Sequence, residues 1–132
     1  MEKTFINPPE LYKHPNYTRV ITVKGPCTFI YISGQTPSGN DYEPVAKGDY
    51  KAQYERILEA LTIQLKAAGA TWADVVSRRT FTLDIDKMRA ATKDVPRPFD
   101  TDFPPTSTMI QVSRLSHPDF LIEIDLVAVT EA

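Results

Sequence analysis

The sequence predicts an α+β domain in which a mixed β-sheet carries two helices on one face. Three observations carry that expectation. Apolar residues between positions 54 and 68 recur at a helical period, positions 75–84 and 120–129 alternate at the strand period, and the other β-branched runs are bounded by Gly or Pro. A chain of 132 residues supports one core, so residues 1–132 are read as a single domain, with 1–18 an irregular N-terminal arm broken by Pro8, Pro9 and Pro15.

Residues 19–23 (Arg-Val-Ile-Thr-Val) read as a strand. Lys24-Gly25-Pro26 makes a turn, and residues 28–33 give a second strand antiparallel to the first. Gly, Pro, Asn and Asp then mark a long loop to Gly48. Asp49 is placed to cap a helix whose apolar stripe is Tyr54, Ile57, Leu58, Leu61, Leu65 and Ala68, while Lys51, Glu55, Glu59 and Lys66 fall outside it. Gly69 ends that helix as the residue after its C-cap.

The strand at 75–84 has one face of Ser77, Arg79, Phe81 and Leu83 and another of Val76, Arg78, Thr80 and Thr82. The second, more polar face is assigned to a subunit interface. A helix over about 86–95 is stopped by Pro96 and Pro98, and strands near 107–114 and 120–129 close the sheet. In the last strand Phe120, Ile122, Ile124, Leu126 and Ala128 form the helix-facing side. The opposite side mixes Leu121, Val127 and Val129 with Glu123 and Asp125, and leaving it in water would expose an apolar patch. An oligomer is expected.

Composition narrows the function. Net charge is −2 and no Lys/Arg block occurs, so no nucleic-acid partner is expected. No apolar run approaches the length of a membrane span, and no secretory leader is evident, which makes no membrane partner and a cytoplasmic address the expectations. Cys27 is the only cysteine, excluding an intrachain disulfide and a cysteine-rich zinc site. Neither metal nor cofactor is called for. His14 and His117, each beside proline, read as surface residues, Asp84 and Asp86 as helix caps, and Trp72 as packing.

The run Pro104-Pro105-Thr106-Ser107-Thr108-Met109-Ile110-Gln111-Val112-Ser113-Arg114-Leu115, the run Leu121-Ile122-Glu123-Ile124-Asp125-Leu126-Val127-Ala128-Val129, and Ile30-Tyr31-Ile32-Ser33-Gly34-Gln35 together resemble the RidA (YjgF) family. The likeness spans roughly residues 17–130. It implies a chorismate-mutase-like α+β domain, a homotrimer whose sheets form a central barrel, and small-molecule clefts at the subunit interfaces. Type members hydrolyse enamines and imines. An arginine holds the substrate carboxylate there through paired hydrogen bonds, and a glutamate on the last strand handles the attacking water.

Carried over residue by residue, the resemblance gives Tyr17 of the arm, Ser33 and Gly34 as cleft-lining residues with Gln35 beside them, and Glu123 as the catalytic, water-handling glutamate. Ser107 stands where the arginine is expected and Met109 where a cysteine is common. Thr92 falls where an asparagine is common. Loss of the arginine removes a contact worth about 2–4 kcal/mol. Either the ligand is not a simple carboxylate or another cation serves, and Arg78 is the best substitute. Ser33-Gly34-Gln35 also reads as a plain strand end and turn. Glu123 also reads as a structural partner for Arg78 or for a lysine across the interface.

The leading expectation is therefore an enamine/imine deaminase or related hydrolase of altered specificity. The alternative is a non-catalytic trimer that binds a metabolite or partner. Ribonuclease activity, assigned to some family members, ranks third because the chain is acidic and lacks a basic-aromatic stripe.

Overall fold

In the computed structural model, which describes residues 1–132, the chain runs β1 (Glu2–Ile6), β2 (Val20–Lys24), β3 (Cys27–Gln35), α1 (Tyr50–Ala67), β4 (Val75–Thr82), α2 (Ile85–Thr92), β5 (Thr106–Gln111) and β6 (Ile122–Glu131). A 3-10 turn at Trp72–Asp74 leads into β4. The main sheet has the order β3-β6-β4-β5. Only the β4/β5 pair is parallel; β3/β6 and β4/β6 are antiparallel. This is the mixed sheet with two helices that the periodicities predict.

Helix α1 begins where Asp49 Oδ1 accepts the Ala52 N–H at 3.0 Å. It ends at Gly69, whose φ of 76° suits a residue without a side chain, and Ala70 N–H closes back on Leu65 O at 2.9 Å. Its buried stripe of Tyr54, Ile57, Leu58, Leu61 and Leu65 packs on Ile30, Ile32, Ile122, Ile124, Leu126 and Ala128. Gln53 is also fully buried, at no cost in unmet hydrogen bonds. Its amide donates to Val45 O and Asp119 O and accepts from Leu121 N–H, clamping α1 to the entry of β6. Trp72 packs on Phe99 and donates to Thr62, a structural role as read. Helix α2 is capped by Asp84, which accepts from Lys87 N–H, and stops at Thr92 rather than near 95.

Three sequence expectations change. Glu2–Ile6 is a strand, not part of an irregular arm, and it pairs with β2 in a separate two-stranded sheet. β2 therefore does not form a hairpin with β3, whose partner is β6. Only five residues alternate in β1, too few to register as a period, and local spacing says nothing about which strand partners which.

The second change concerns β4. Arg78 pairs with Leu126, Thr80 with Ile124 and Thr82 with Ile122, so this polar row faces the helices and is buried. Alternation defines two faces but does not say which is inside. A register shift between Val75 and Ser77 further keeps both Val75 and Arg78 inward. Thr82 tolerates burial because its hydroxyl donates to Leu121 O at 3.0 Å.

The third change concerns the opposite face. Val129 is fully buried within the chain and Leu121 packs against the core, so neither forms the expected exposed patch. The apolar surface there comes from Phe29 and Tyr31, 58% and 76% exposed, which pair with Val129 and Val127. No helix is long and apolar enough to cross a membrane.

Candidate functional site

The residues singled out from the sequence form two groups on opposite faces of the sheet. Parallel pairing sets Ser107 beside Arg78 and Met109 beside Thr80, on the helix-facing side. Glu123 pairs with Phe81, on the other side. The resemblance leads to the expectation that Tyr17, Ser33, Gly34, Ser107 and Glu123 converge on one cleft. Within this chain Ser107 and Glu123 lie on opposite faces of the sheet, and that convergence does not occur. Two residues on adjacent strands share a face only when their register parity matches, and strand alternation within β5 or β6 alone cannot reveal that.

On the helix side a cleft of about 610 Å³ opens between α2, β4, β5 and the arm; Tyr17, Tyr54, Arg78, Ser107 and Met109 help line it. The arm is held there by Thr18, whose hydroxyl donates to Pro104 O at 2.5 Å and whose N–H donates to Pro105 O at 3.2 Å. Those prolines lead straight into β5, so the same contacts fix Tyr17 beside Ser107 in one chain. Tyr17 stacks on His14, with ring centroids 4.6 Å apart and planes 12° off parallel.

Arg78 is the unusual member. It is 8% exposed, yet its Nε has no hydrogen-bond partner and no carboxylate pairs with its guanidinium. The guanidinium carbon sits 3.8 Å from the centroid of the Phe99 ring, itself buried. Burial pushes the Arg78 pKa down from its ordinary value, partly offset by Tyr54. An arginine stays protonated through shifts of this kind, so it remains a cation with unmet donors. Tyr54 beside it is pushed up to about 12, chiefly by burial, and is a neutral phenol at physiological pH. Buried polar groups in natural interiors are rarely left without a hydrogen-bond partner.

On the opposite face Glu123 lies directly over Gly34, where any side chain would overlap its carboxylate. A bulge in β3 between Ile32 and Gln35 creates that position. Ser33, beside Gly34, is exposed. Burial, and then the charge of Asp125, raises the Glu123 pKa above the usual carboxylate value. Asp125 is held by Arg79 through two bonds of 3.0 and 2.6 Å, which leaves Glu123 without a cation of its own. Within one chain Glu123 does not pair with Arg78, because the two lie on opposite faces of the sheet. Gln35 has both ends of its amide engaged within the chain, accepting from Gln64 and donating to Thr36 O.

Sequence reasoning missed several lining residues. His14, read as a surface residue, stacks in the cleft; Arg89 and Lys93 of the α2 region and Arg97 between its prolines line it as well. Positions 89, 92 and 93 share a helix face by their spacing, a signal that was available. Thr92 sits among them, but its hydroxyl is used up on Met88 O at 2.7 Å.

Comparison with known proteins converges on one family. A family model described as Endoribonuclease L-PSP matches residues 10–130. A RutC family protein of Pyrococcus abyssi is 32% identical over 103 residues, covering 78% of this chain and 80% of that relative. Protein DfrA of Myxococcus xanthus is 33% identical over 115 residues, covering 86% and 85%. Among solved structures, the conserved Rid-family protein YyfB of Yersinia pestis superposes with a TM-score of 0.84 at 28% identity, covering 98% of this chain and 100% of that one. A protein of Thermotoga maritima described as a putative endoribonuclease gives 0.69 at 29%, covering 88% and 87%.

Proposed function

The chain belongs to the RidA (YjgF) family, and on that premise we propose that it binds a small anionic imine or its keto-acid product, with Arg78 as the carboxylate anchor. The observation that carries this reading is Arg78, largely buried, with its Nε unpartnered and no carboxylate beside it, in register with Ser107. The charge lost at position 107 reappears one strand over. Neighbouring strands lie about 4.8 Å apart, so the anchor moves inward from the edge strand β5 to the inner strand β4 by that distance. Phe99 stacks on the guanidinium before the ligand arrives, which lowers the ordering cost of binding.

Hydrolysis of a bound imine needs a group that handles water, and no carboxylate lines the cleft of one chain. The proposal therefore includes a homotrimer whose interface cleft is composite. One chain supplies Arg78, Ser107, Met109 and Tyr17; its neighbour supplies Glu123 with Ser33 and Gly34. On a protonated imine, Glu123 accepts a proton from water as the water oxygen adds to the imine carbon, and returns it to the nitrogen of the resulting carbinolamine. The C–N bond then breaks as C=O forms, ammonia leaves, and the hydroxyl proton passes back to Glu123. The face of exposed Phe29 and Tyr31 with half-buried Val127 gives the trimer its apolar contact.

Mixed trimers test this. Arg78→Met and Glu123→Ala proteins should each turn over short imino acids poorly, and trimers re-formed from both should regain activity, because some clefts then draw both intact residues from different chains. Trimers that stay as inactive as their parents count against a composite cleft. If the wild type binds keto acids but hydrolyses no imine, the non-catalytic metabolite-binding reading takes its place.

A further inference from the structure

We propose that the cleft selects ligands carrying two anionic groups, one held by Arg78 and the other by Arg89 and Lys93 at the mouth. This rests on the reading of Arg78 as an anion anchor and extends it to the ligand class.

The charge inventory of the cleft supports it. Four cationic side chains line it (Arg78, Arg89, Lys93 and Arg97) and no acidic one does. Arg97 is partly answered by Asp100, which accepts from its Nε at 2.8 Å. On the proposed reading Arg78 is answered by a ligand's carboxylate. Arg89 and Lys93 then remain: neither has an ion-pair partner, and as residues i and i+4 they rise from one face of α2 and its C-terminal end.

Two like charges at that spacing repel each other unless an anion lies between them. The partial negative charge at the helix C-terminus offsets some of this, but only within the last turn. A single carboxylate held deep at Arg78 leaves the pair at the mouth unanswered. A ligand bearing a second carboxylate or a phosphoryl group a few bonds away answers both. The cleft, at about 610 Å³, is larger than a three-carbon acid requires. The electrostatics are graded in the same direction. The inner site is desolvated and strong, while the mouth is exposed and screened, so the mouth adds preference and the inner site supplies the anchor.

Calorimetric titration of the intact protein with four keto acids tests this: pyruvate, 2-oxobutanoate (one carbon longer, still a monoanion), oxaloacetate and 3-phosphonopyruvate. Oxaloacetate or phosphonopyruvate should bind about tenfold more tightly than 2-oxobutanoate at low salt, with the ratio shrinking as salt is added. Comparison of these two dianions reads whether the second group is a carboxylate or a phosphoryl. In the Arg89→Gln/Lys93→Gln double variant the ratio should fall to about one through loss on the dianion side. Equal affinity for 2-oxobutanoate and both dianions in the wild type overturns the inference while leaving the anchor role of Arg78 standing. A double variant that retains the preference also overturns it. If none of the four binds, the anion-anchor reading and this extension both fall.

Discussion

Arg78 and Glu123 are each placed where a charge is expensive, and each makes a different demand on stability. The Arg78 Nε is buried without a hydrogen-bond partner, so Arg78→Met, which keeps an unbranched apolar stem against Phe99, should leave thermal stability unchanged or raise it. Differential scanning calorimetry checks this; a large drop in Tm would mean that the cation itself holds the fold. For Glu123 the folded-state pKa is raised, so folding favours the protonated form. The contribution of the carboxyl to stability is best at acid pH and declines as pH rises through the folded pKa. Glu123→Gln should therefore raise Tm at about pH 8, with the gain vanishing near about pH 4. A gain of the opposite pH dependence would contradict burial as the cause. At this scale the sequence was informative about residue type and poor about surroundings. Ser107, Tyr17 and Met109 do meet in one cleft, but that Arg78 is buried beside them depends on register with β6, which no local spacing encodes.

Among the elements, α1 was legible almost to the residue because three independent signals agree on it: the Asp49 cap, the apolar stripe and Gly69. Its stripe is the core of the domain. Leu61 is fully buried, and Leu61→Ala should cost about 2–5 kcal/mol in urea unfolding, whereas Asp49→Ala should cost about 1 kcal/mol. A Leu61 effect smaller than the cap effect would contradict the assignment of the core. β6 was legible for the same reason: its alternation of Ile122, Ile124, Leu126 and Ala128 has a single apolar side. β1 and β4 were not. β1 is short, and its pairing with β2 is a long-range matter. In β4 the inward row contains Arg78, Thr80 and Thr82, which reads as a wet face until the Thr82 hydroxyl bond and the stacking of Arg78 on Phe99 are known. The half-apolar outer face was foreseen, but two of its three named apolar residues proved to be covered within the chain, leaving Phe29, Tyr31 and Val127 to form the patch.

For the whole molecule, that patch and the separation of Glu123 from Ser107 both bear on the proposed trimer. An aromatic pair this exposed is unusual on a lone small domain, and under the proposed composite cleft Glu123 and Ser107, on opposite sheet faces of one chain, meet only across a subunit boundary. Analytical ultracentrifugation should give a trimer at micromolar concentration. Tyr31→Glu should shift the protein toward monomer with its far-UV circular dichroism intact, since Tyr31 is 76% exposed in the isolated chain. Loss of secondary structure in that variant would instead make Tyr31 part of the fold.

The claim on which the cleft depends is that Arg78 supplies the carboxylate contact absent at Ser107, and titration of pyruvate into wild-type and Arg78→Met protein by isothermal calorimetry tests it most directly. Removal of a charge-assisted contact should raise Kd by about 10- to 100-fold, with the variant still folded and of wild-type oligomeric state. An Arg78→Met protein that binds pyruvate as tightly as the wild type would contradict the claim, and the buried guanidinium would then be a structural charge with no ligand to answer it.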